Sequence, residues 1–193
     1  RRAKVEQLNN AYAAQLANAG VATTVVHAVD SDAAGHIVQQ AQVRDNISAR
    51  LSALPSSLTL HVGQLVMLTV NKRRTHAGFV NSAVGIVVSM APEPVPTEIV
   101  VRLLDEPEGT APVRVRRLPQ TVRVHGGEYT RLMFPIVPAF ALTIHRVQGA
   151  TLTGDVHILL NAEIFAAGQA YVALSRVERL EQLHLWGLHR EAL

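Results

Sequence analysis

The chain has 193 residues, is 48% hydrophobic and 17% charged, carries a formal net charge of +3 and contains no cysteine. That length buries one good core and at most a small second one, and the lack of thiols excludes disulfides and thiolate metal sites. No window reaches the roughly 18 uninterrupted apolar residues of a membrane span, and the opening RRAKVEQLNN lacks the apolar region of a secretory signal, so an intracellular protein without a membrane partner is expected.

Taken in chain order, residues 2–18 read as a helix, with Val5, Leu8, Tyr12 and Leu16 near 3.6 spacing and Gly20 suited to the stop. The β-branched run VATTVVHAVD (21–30) predicts a strand, and a weaker helix over about 36–53 ends at Leu54-Pro55. From about 58 to 131 the character changes. Short apolar runs (LTLHV, QLVMLTV, VGIVVSM, EIVVRLL, VRVRRL, TVRV) alternate with Gly, Pro, Asn and Asp, which predicts a small barrel. Its own apolar alternation makes it a separable packing unit. After Arg131 an α/β rhythm returns: MFPIV, a helix over about 138–148 closed by Gly149, strand DVHILL, helix GQAYVALSRV and strand LHLWGL. Strand, helix and strand in alternation argue for a parallel sheet. The fold class is therefore α/β, a parallel sheet domain interrupted by a small β-barrel.

Charge is distributed unevenly in kind. Sixteen of the eighteen basic residues are arginine, clustered at Lys72, Arg73 and Arg74 and again at Arg114, Arg116, Arg117 and Arg123. The guanidinium fork suits phosphate, although a solvated basic surface explains such clusters equally well. The nine histidines lack close metal-ligand spacing, so no metal site is expected.

Two stretches carry chemistry. In ALTIHRVQGATL (141–152), Thr143, His145, Arg146 and Gln148 interrupt what otherwise reads as buried helix. Leaving such groups unpaired in a core costs roughly 1–3 kcal/mol each, so either the fold or a ligand satisfies them. On a helical wheel Phe140, Ile144 and Val147 share one face, and the polar groups spread around the other. In GQAYVALSR (168–176), Gln169, Val172, Ala173 and Arg176 fall at i, i+3, i+4 and i+7, which puts Gln169 and Arg176 on one helical face. No local acid faces Arg176. An anion brought from outside and a salt bridge to a remote carboxylate are the two readings.

AFALTIHRVQGATL followed by GQAYVALSRV strongly resembles motifs V and VI of the petite-integration-frequency (PIF) helicases, superfamily-one enzymes related to RecD. KVEQLNNAYAAQL…VVHAVDSD is similar to the region after their motif IV. LTLHVGQLVMLTVNKRRTHAGFVNSAVGIVV is similar to the segment L-x-L-x-x-G-x-x-V-M-L…N…G-x-V-N-G-x-x-G-x-V. The resemblance implies a second RecA-like domain with an SH3-like barrel inserted: residues 1–60 and 131–193 would form the former and 61–130 the latter. It also implies an ATP-dependent, 5′→3′ DNA helicase of the kind used in DNA repair, recombination and telomere maintenance. In it Arg176 would be the arginine finger to the γ-phosphate, with Gln169, Tyr171 and Gly149 on the ATP side. Single-stranded DNA would be met by Thr143, His145, Arg146 and Gln148, and by Asn71, Lys72 and Arg73.

Two departures stand out. The family's His-Lys-Ser-Gln-Gly is HRVQG here, which keeps the charge at Arg146 and loses a hydroxyl at Val147. Its Val-Asn-Gly is Val80-Asn81-Ser82. No G-x-x-x-x-G-K-[ST] occurs in the chain, so ATP and Mg²⁺ would be held mainly by the parent's N-terminal RecA-like domain, and this stretch alone would be inactive. A nucleic-acid-binding module without ATP chemistry and a remnant of a Helitron-type mobile-element helicase are the alternatives.

Overall fold

The computed structural model describes residues 2–51, 53–72, 79–92, 95–152, 154–160 and 168–187. Helix α1 (Arg2–Asn18) matches its prediction. Gly20, at φ +80°, ends it: Gly20 N–H returns to Ala17 O (3.0 Å) and Val21 N–H to Leu16 O (3.0 Å), the paired bonds of a Schellman stop. The packed stripe differs from the predicted one. Leu8 is 46% exposed, and the half-buried positions are Val5, Asn9, Tyr12, Ala13 and Leu16.

The expected strand over 21–30 is two strands, β1 (Thr24–His27) and β2 (Val29–Asp32), in different sheets. The chain changes sheets at Ala28, whose N–H is taken by Ser56 O at 2.8 Å. Helix α2 (Ala41–Arg50) is shorter than expected and buries Ile47. β3 (Ser57–Leu60) pairs antiparallel with β1. Then follow β4 (Leu65–Leu68), β5 (Val84–Ala91), β6 (Glu98–Leu103) and β7 (Val113–Arg116). β8 (Leu118–Val124) and β9 (Gly127–Met133) form a hairpin. Its two turn residues, His125 and Gly126, both have positive φ (48° and 81°), as a tight two-residue turn demands. The GEYTRLM strand was not expected; its polar half hides the alternation that marks the others.

β10 (Ile136–Pro138) closes a five-stranded antiparallel sheet in the order β10-β4-β5-β6-β7, while β2-β9-β8 make a three-stranded one. At Gly85 an added Cβ would sit 2.6 Å from Arg102 O, so only glycine lets β5 lie this close to β6. The parallel pairing expected of the last third is confined, among the described residues, to β11 (Val156–Leu159) with β12 (Leu183–Trp186) and to the bridge Leu152–Val177. Helix α3 (Gln169–Leu174) crosses between those strands, and the small core Ile158, Leu160 and Ala173 seals it to them. The molecule is thus mixed α/β.

The main core ignores the expected divisions at 60/61 and 130/131. It joins Val26, Leu58 and Leu60 to Val66, Val87, Ile99 and Val115, and to Met133 and Ile136. β2 pairs with β9 and β10 with β4, so ladders cross both divisions, and the strands between them share their core with the flanks. Among the described residues one charged pair sits fully inside. Arg131 Nε and Nη2 donate to the two Asp30 carboxylate oxygens at 2.7 Å each, with both side chains fully buried, and Nη1 donates to Leu54 O at 3.2 Å.

Candidate nucleotide and nucleic-acid site

β10 leads into the stretch 139–150. The expected helix over 138–148 is absent; only Ile144–Val147 coils, as one 3-10 turn. The physical reason lies in where the apolar residues go. Leu142 packs with one apolar cluster, built on Met67, Val84 and Ala139, and Ile144 with another, built on Ile158, Leu160 and Ala173. Val147 is buried. Anchors pulled into separate cores do not line up on one helical face. Phe140, predicted on the packed face, is 52% exposed.

The polar groups meet the question their sequence raised by facing outwards. His145 and Gln148 are exposed and Thr143 is half-buried; Arg146 is half-buried and has a partner within the chain. Thr143 O accepts the Arg146 N–H at 2.9 Å, which closes the turn. Gly149 has φ +83° with open space around its Cα, so it is the left-handed backbone, not crowding, that calls for glycine.

The upstream end of this turn is held by α1, which sequence reasoning missed. Asn9 Nδ2 donates to Ala141 O at 3.0 Å, and Ala141 N–H donates to Asn9 Oδ1 at 2.9 Å. Beside that two-point clamp the Tyr12 and Phe140 rings lie stacked, 3.9 Å between centroids and 1° apart. The available signal was the position of Asn9 on the Val5–Ala13–Leu16 stripe, where an amide must find partners.

The downstream end is held by Arg176. Gly168, at φ +84°, precedes α3, and α3 stops at Leu174, so Arg176 lies beyond the helix rather than two turns along it. Its half-buried guanidinium folds back: Nε donates to Val172 O (3.0 Å), Nη2 to Ser175 Oγ (3.0 Å) and Nη1 to Ala150 O (3.4 Å). Arg176 O accepts the Leu152 N–H at 2.8 Å. The two quoted stretches are therefore sewn together directly. Among the described residues no carboxylate lies within ion-pair distance of Arg176, so the remote salt bridge is not found. Gln169 is half-buried and Tyr171 is 74% exposed on the same short helix.

The third predicted group is only partly described. Asn71 Oδ1 accepts the Asn81 N–H at 2.8 Å, and Lys72 N–H donates to Phe79 O at 2.7 Å, so both hold a loop closed. Lys72 has a further partner within the chain, and Arg73 lies outside the described residues. This loop continues β4 past Leu68, and the 143–149 turn continues β10 past Pro138. Because the strands are antiparallel, with Leu68 opposite Ile136, the two leave by opposite ends of a short ladder.

The second arginine cluster is committed internally. Arg116 Nε and Arg114 Nη1 grip the two oxygens of Glu98 at 2.9 and 2.7 Å. Arg123 meets Glu128 at 3.5 Å. Arg117 donates to His27 O at 3.1 Å and covers the Phe134 ring at 5.3 Å. No group of three or more His, Asp or Glu among the described residues is arranged to hold a metal.

Comparison with known proteins gives a consistent answer. No protein-family model matches the chain. It is 37% identical over 161 residues to the ATP-dependent DNA helicase PIF1 of Danio rerio, an alignment that covers 82% of this chain and 22% of the relative. With its counterpart in Rattus norvegicus it shares 36% identity over 139 residues, 66% of this chain and 19% of the relative. The chain thus spans about a fifth of the length of these relatives. Among solved structures, the Pif1 helicase of Candida albicans superposes on all of this chain and 45% of its own, with a TM-score of 0.72 at 26% identity.

Proposed function

This chain belongs to the Pif1-like DNA helicases, of which it supplies one region, and we propose that this region is the motor half that carries the arginine finger and grips single-stranded DNA. The observation that carries the reading is Arg176, a guanidinium that is half-buried, held among the described residues by neutral oxygens, and bonded to the end of the 143–149 turn. A cation so placed exchanges weak acceptors for a phosphate at small cost, since hydrogen bonds to charged groups are the stronger ones. Bound ATP with its magnesium ion, held mainly by the N-terminal RecA-like domain of the parent, supplies the phosphoanhydride bond whose hydrolysis drives movement.

In this reading Arg176 turns from Ala150 O towards the γ-phosphate and stabilises the charge that develops there. Gln169, Tyr171 and Gly149 border the same cleft. Releasing Ala150 frees the downstream end of the turn that presents Thr143, His145, Arg146 and Gln148 to the DNA backbone, so nucleotide state changes the grip. Asn71, Lys72 and Arg73 add contacts from the loop after β4. Residues 61–130 correspond to the SH3-like insertion and the flanks to the RecA-like domain, with translocation 5′→3′ inside the cell, by family resemblance.

The test is Arg176→Ala in the full-length parent. Arginine fingers are worth about 10³–10⁵ in turnover, so DNA-stimulated ATP hydrolysis should collapse by that order while the melting temperature holds. Arg176→Lys should rescue poorly, because a point charge lacks the fork. A folded Arg176→Ala enzyme with near-normal turnover removes the finger from the reading.

A further inference from the structure

A turn that binds backbone phosphates gains affinity from being fixed before the ligand arrives, since ordering it on binding subtracts from the gain. Within the 143–149 turn the backbone bonds are short-range, Arg146 N–H to Thr143 O at 2.9 Å and Ala150 N–H to Val147 O at 3.0 Å, and they shape the turn without tying it to the rest of the fold. Thr143 makes no side-chain cap, and the coil is a single 3-10 turn. Its placement on the body of the protein is set at its two ends and by the buried Val147. Arg176 holds the downstream end by two bonds, its side chain to Ala150 O at 3.4 Å and its backbone O to the Leu152 N–H at 2.8 Å, and the first of these comes from a group with other work. The upstream end is different. There Ala141 has both its N–H and its C=O taken by one side chain 132 residues away.

We infer that Asn9 is a positioning residue for nucleic-acid binding: it acts through Ala141 to preset the turn that carries His145 and Arg146. The inference rests on the nucleic-acid role proposed above for that turn. Three features single out Asn9. It is the amide on an otherwise apolar packed stripe, so it is placed to be satisfied by the body of the protein. Its carboxamide uses one donor and one acceptor on the same residue, as a neighbouring β-strand would, so position and orientation of Ala141 are both set. The flanking Tyr12–Phe140 stack adds apolar area on the residue before Ala141. Helix α1 buries no side chain completely among its described residues, so the clamp and stack add fixed contacts to a stripe of half-buried positions. The helix that leads the chain is thus tied to the site by a fastener only two residues from Thr143.

The experiment uses the full-length parent and a fluorescent oligo-dT strand. Asn9→Ala should raise the dissociation constant for the strand roughly tenfold, equivalent to about 1.4 kcal/mol, and raise the DNA concentration for half-maximal ATPase more than it lowers turnover at saturating DNA. Asn10→Ala, an exposed neighbour on the same helix, should change neither. The deciding measurement is a double-mutant cycle. If Asn9 acts through the turn, Asn9→Ala adds little in an Arg146→Ala background. Full additivity, or an Asn9→Ala effect confined to melting temperature, overturns the inference. If Arg146→Ala itself leaves DNA affinity unchanged, the nucleic-acid reading of the turn fails instead, and the two failures are told apart.

Discussion

Arg131 and Arg176 are the same side chain in opposite circumstances. Arg131 is fully buried with a bidentate carboxylate and a backbone carbonyl, and Arg44 Nε approaches the same Asp30 at 3.6 Å. The desolvation of such a pair roughly offsets its attraction, but removing one partner leaves a buried charge and costs about 3–5 kcal/mol. Arg131→Ala is therefore expected to lower unfolding free energy by roughly that amount in a urea titration, and Asp30→Leu combined with Arg131→Met should recover much of it. A single Arg131→Ala loss below about 1 kcal/mol would mean that water reaches the pair. Arg176, by contrast, has no carboxylate partner among the described residues, so its truncation should spare the fold. The difference between Arg131 and the proposed finger lies in the partner.

At the scale of an element, the β6–β7 ladder explains arginines that look like a phosphate patch in the sequence. Glu98 stands directly opposite Arg116, with Arg114 two residues along, and both guanidinium groups close on its carboxylate. The Arg116 hydrogen bond first, and then Arg114, hold the Glu98 carboxyl below the ordinary glutamate range. A carboxyl depressed in the folded state adds stability that is fully present above its unfolded value, about 4.3, and that is lost as pH falls through the folded value. Wild type and Glu98→Gln should therefore differ in melting temperature at neutral pH and converge once the pH drops below the glutamate range. A gap that persists unchanged at low pH would assign the effect to packing. Being on the surface, the pair should also weaken with salt.

Across the whole molecule, shared core and shared charge set the behaviour. The apolar cluster that joins β1 and β3 to β4–β7 and β10 leaves no seam along which 62–130 could be lifted out. Excising that stretch should abolish cooperative thermal unfolding, as followed by circular dichroism; a surviving sharp transition would show that the flanks fold alone. Charge follows the same logic. Arg44, Arg114, Arg116, Arg117, Arg123 and Arg131 already engage partners in the chain. Binding of single-stranded DNA by the isolated chain should accordingly depend on salt with a modest logarithmic slope, about −2 to −3, or roughly three to four phosphates. Aromatic residues make up 4% of the chain, so sequence preference should be small. Salt-independent binding would remove the phosphate contacts from the reading.

What the sequence determined by itself is whatever depends on local order: the ends of α1, most strands of the middle third, the α3 stretch and the paired motifs that give the family. Periodicity and turn residues act over a few positions, so they survive without tertiary context. Arg176 and the 143–149 stretch stand out in the sequence as site candidates because their residue types and separation are unusual. Tertiary structure decided the rest. It broke the expected 138–148 helix by drawing Leu142 and Ile144 into different cores, and it split the strand at Ala28 between two sheets. It matched Glu98 with arginines and, among the described residues, gave Arg176 neutral oxygens. It also brought Asn9 to Ala141 across 132 residues. Each of these turns on which distant partner reaches a group first, and hydrogen bonds and ion pairs between distant segments leave no periodic trace in the chain.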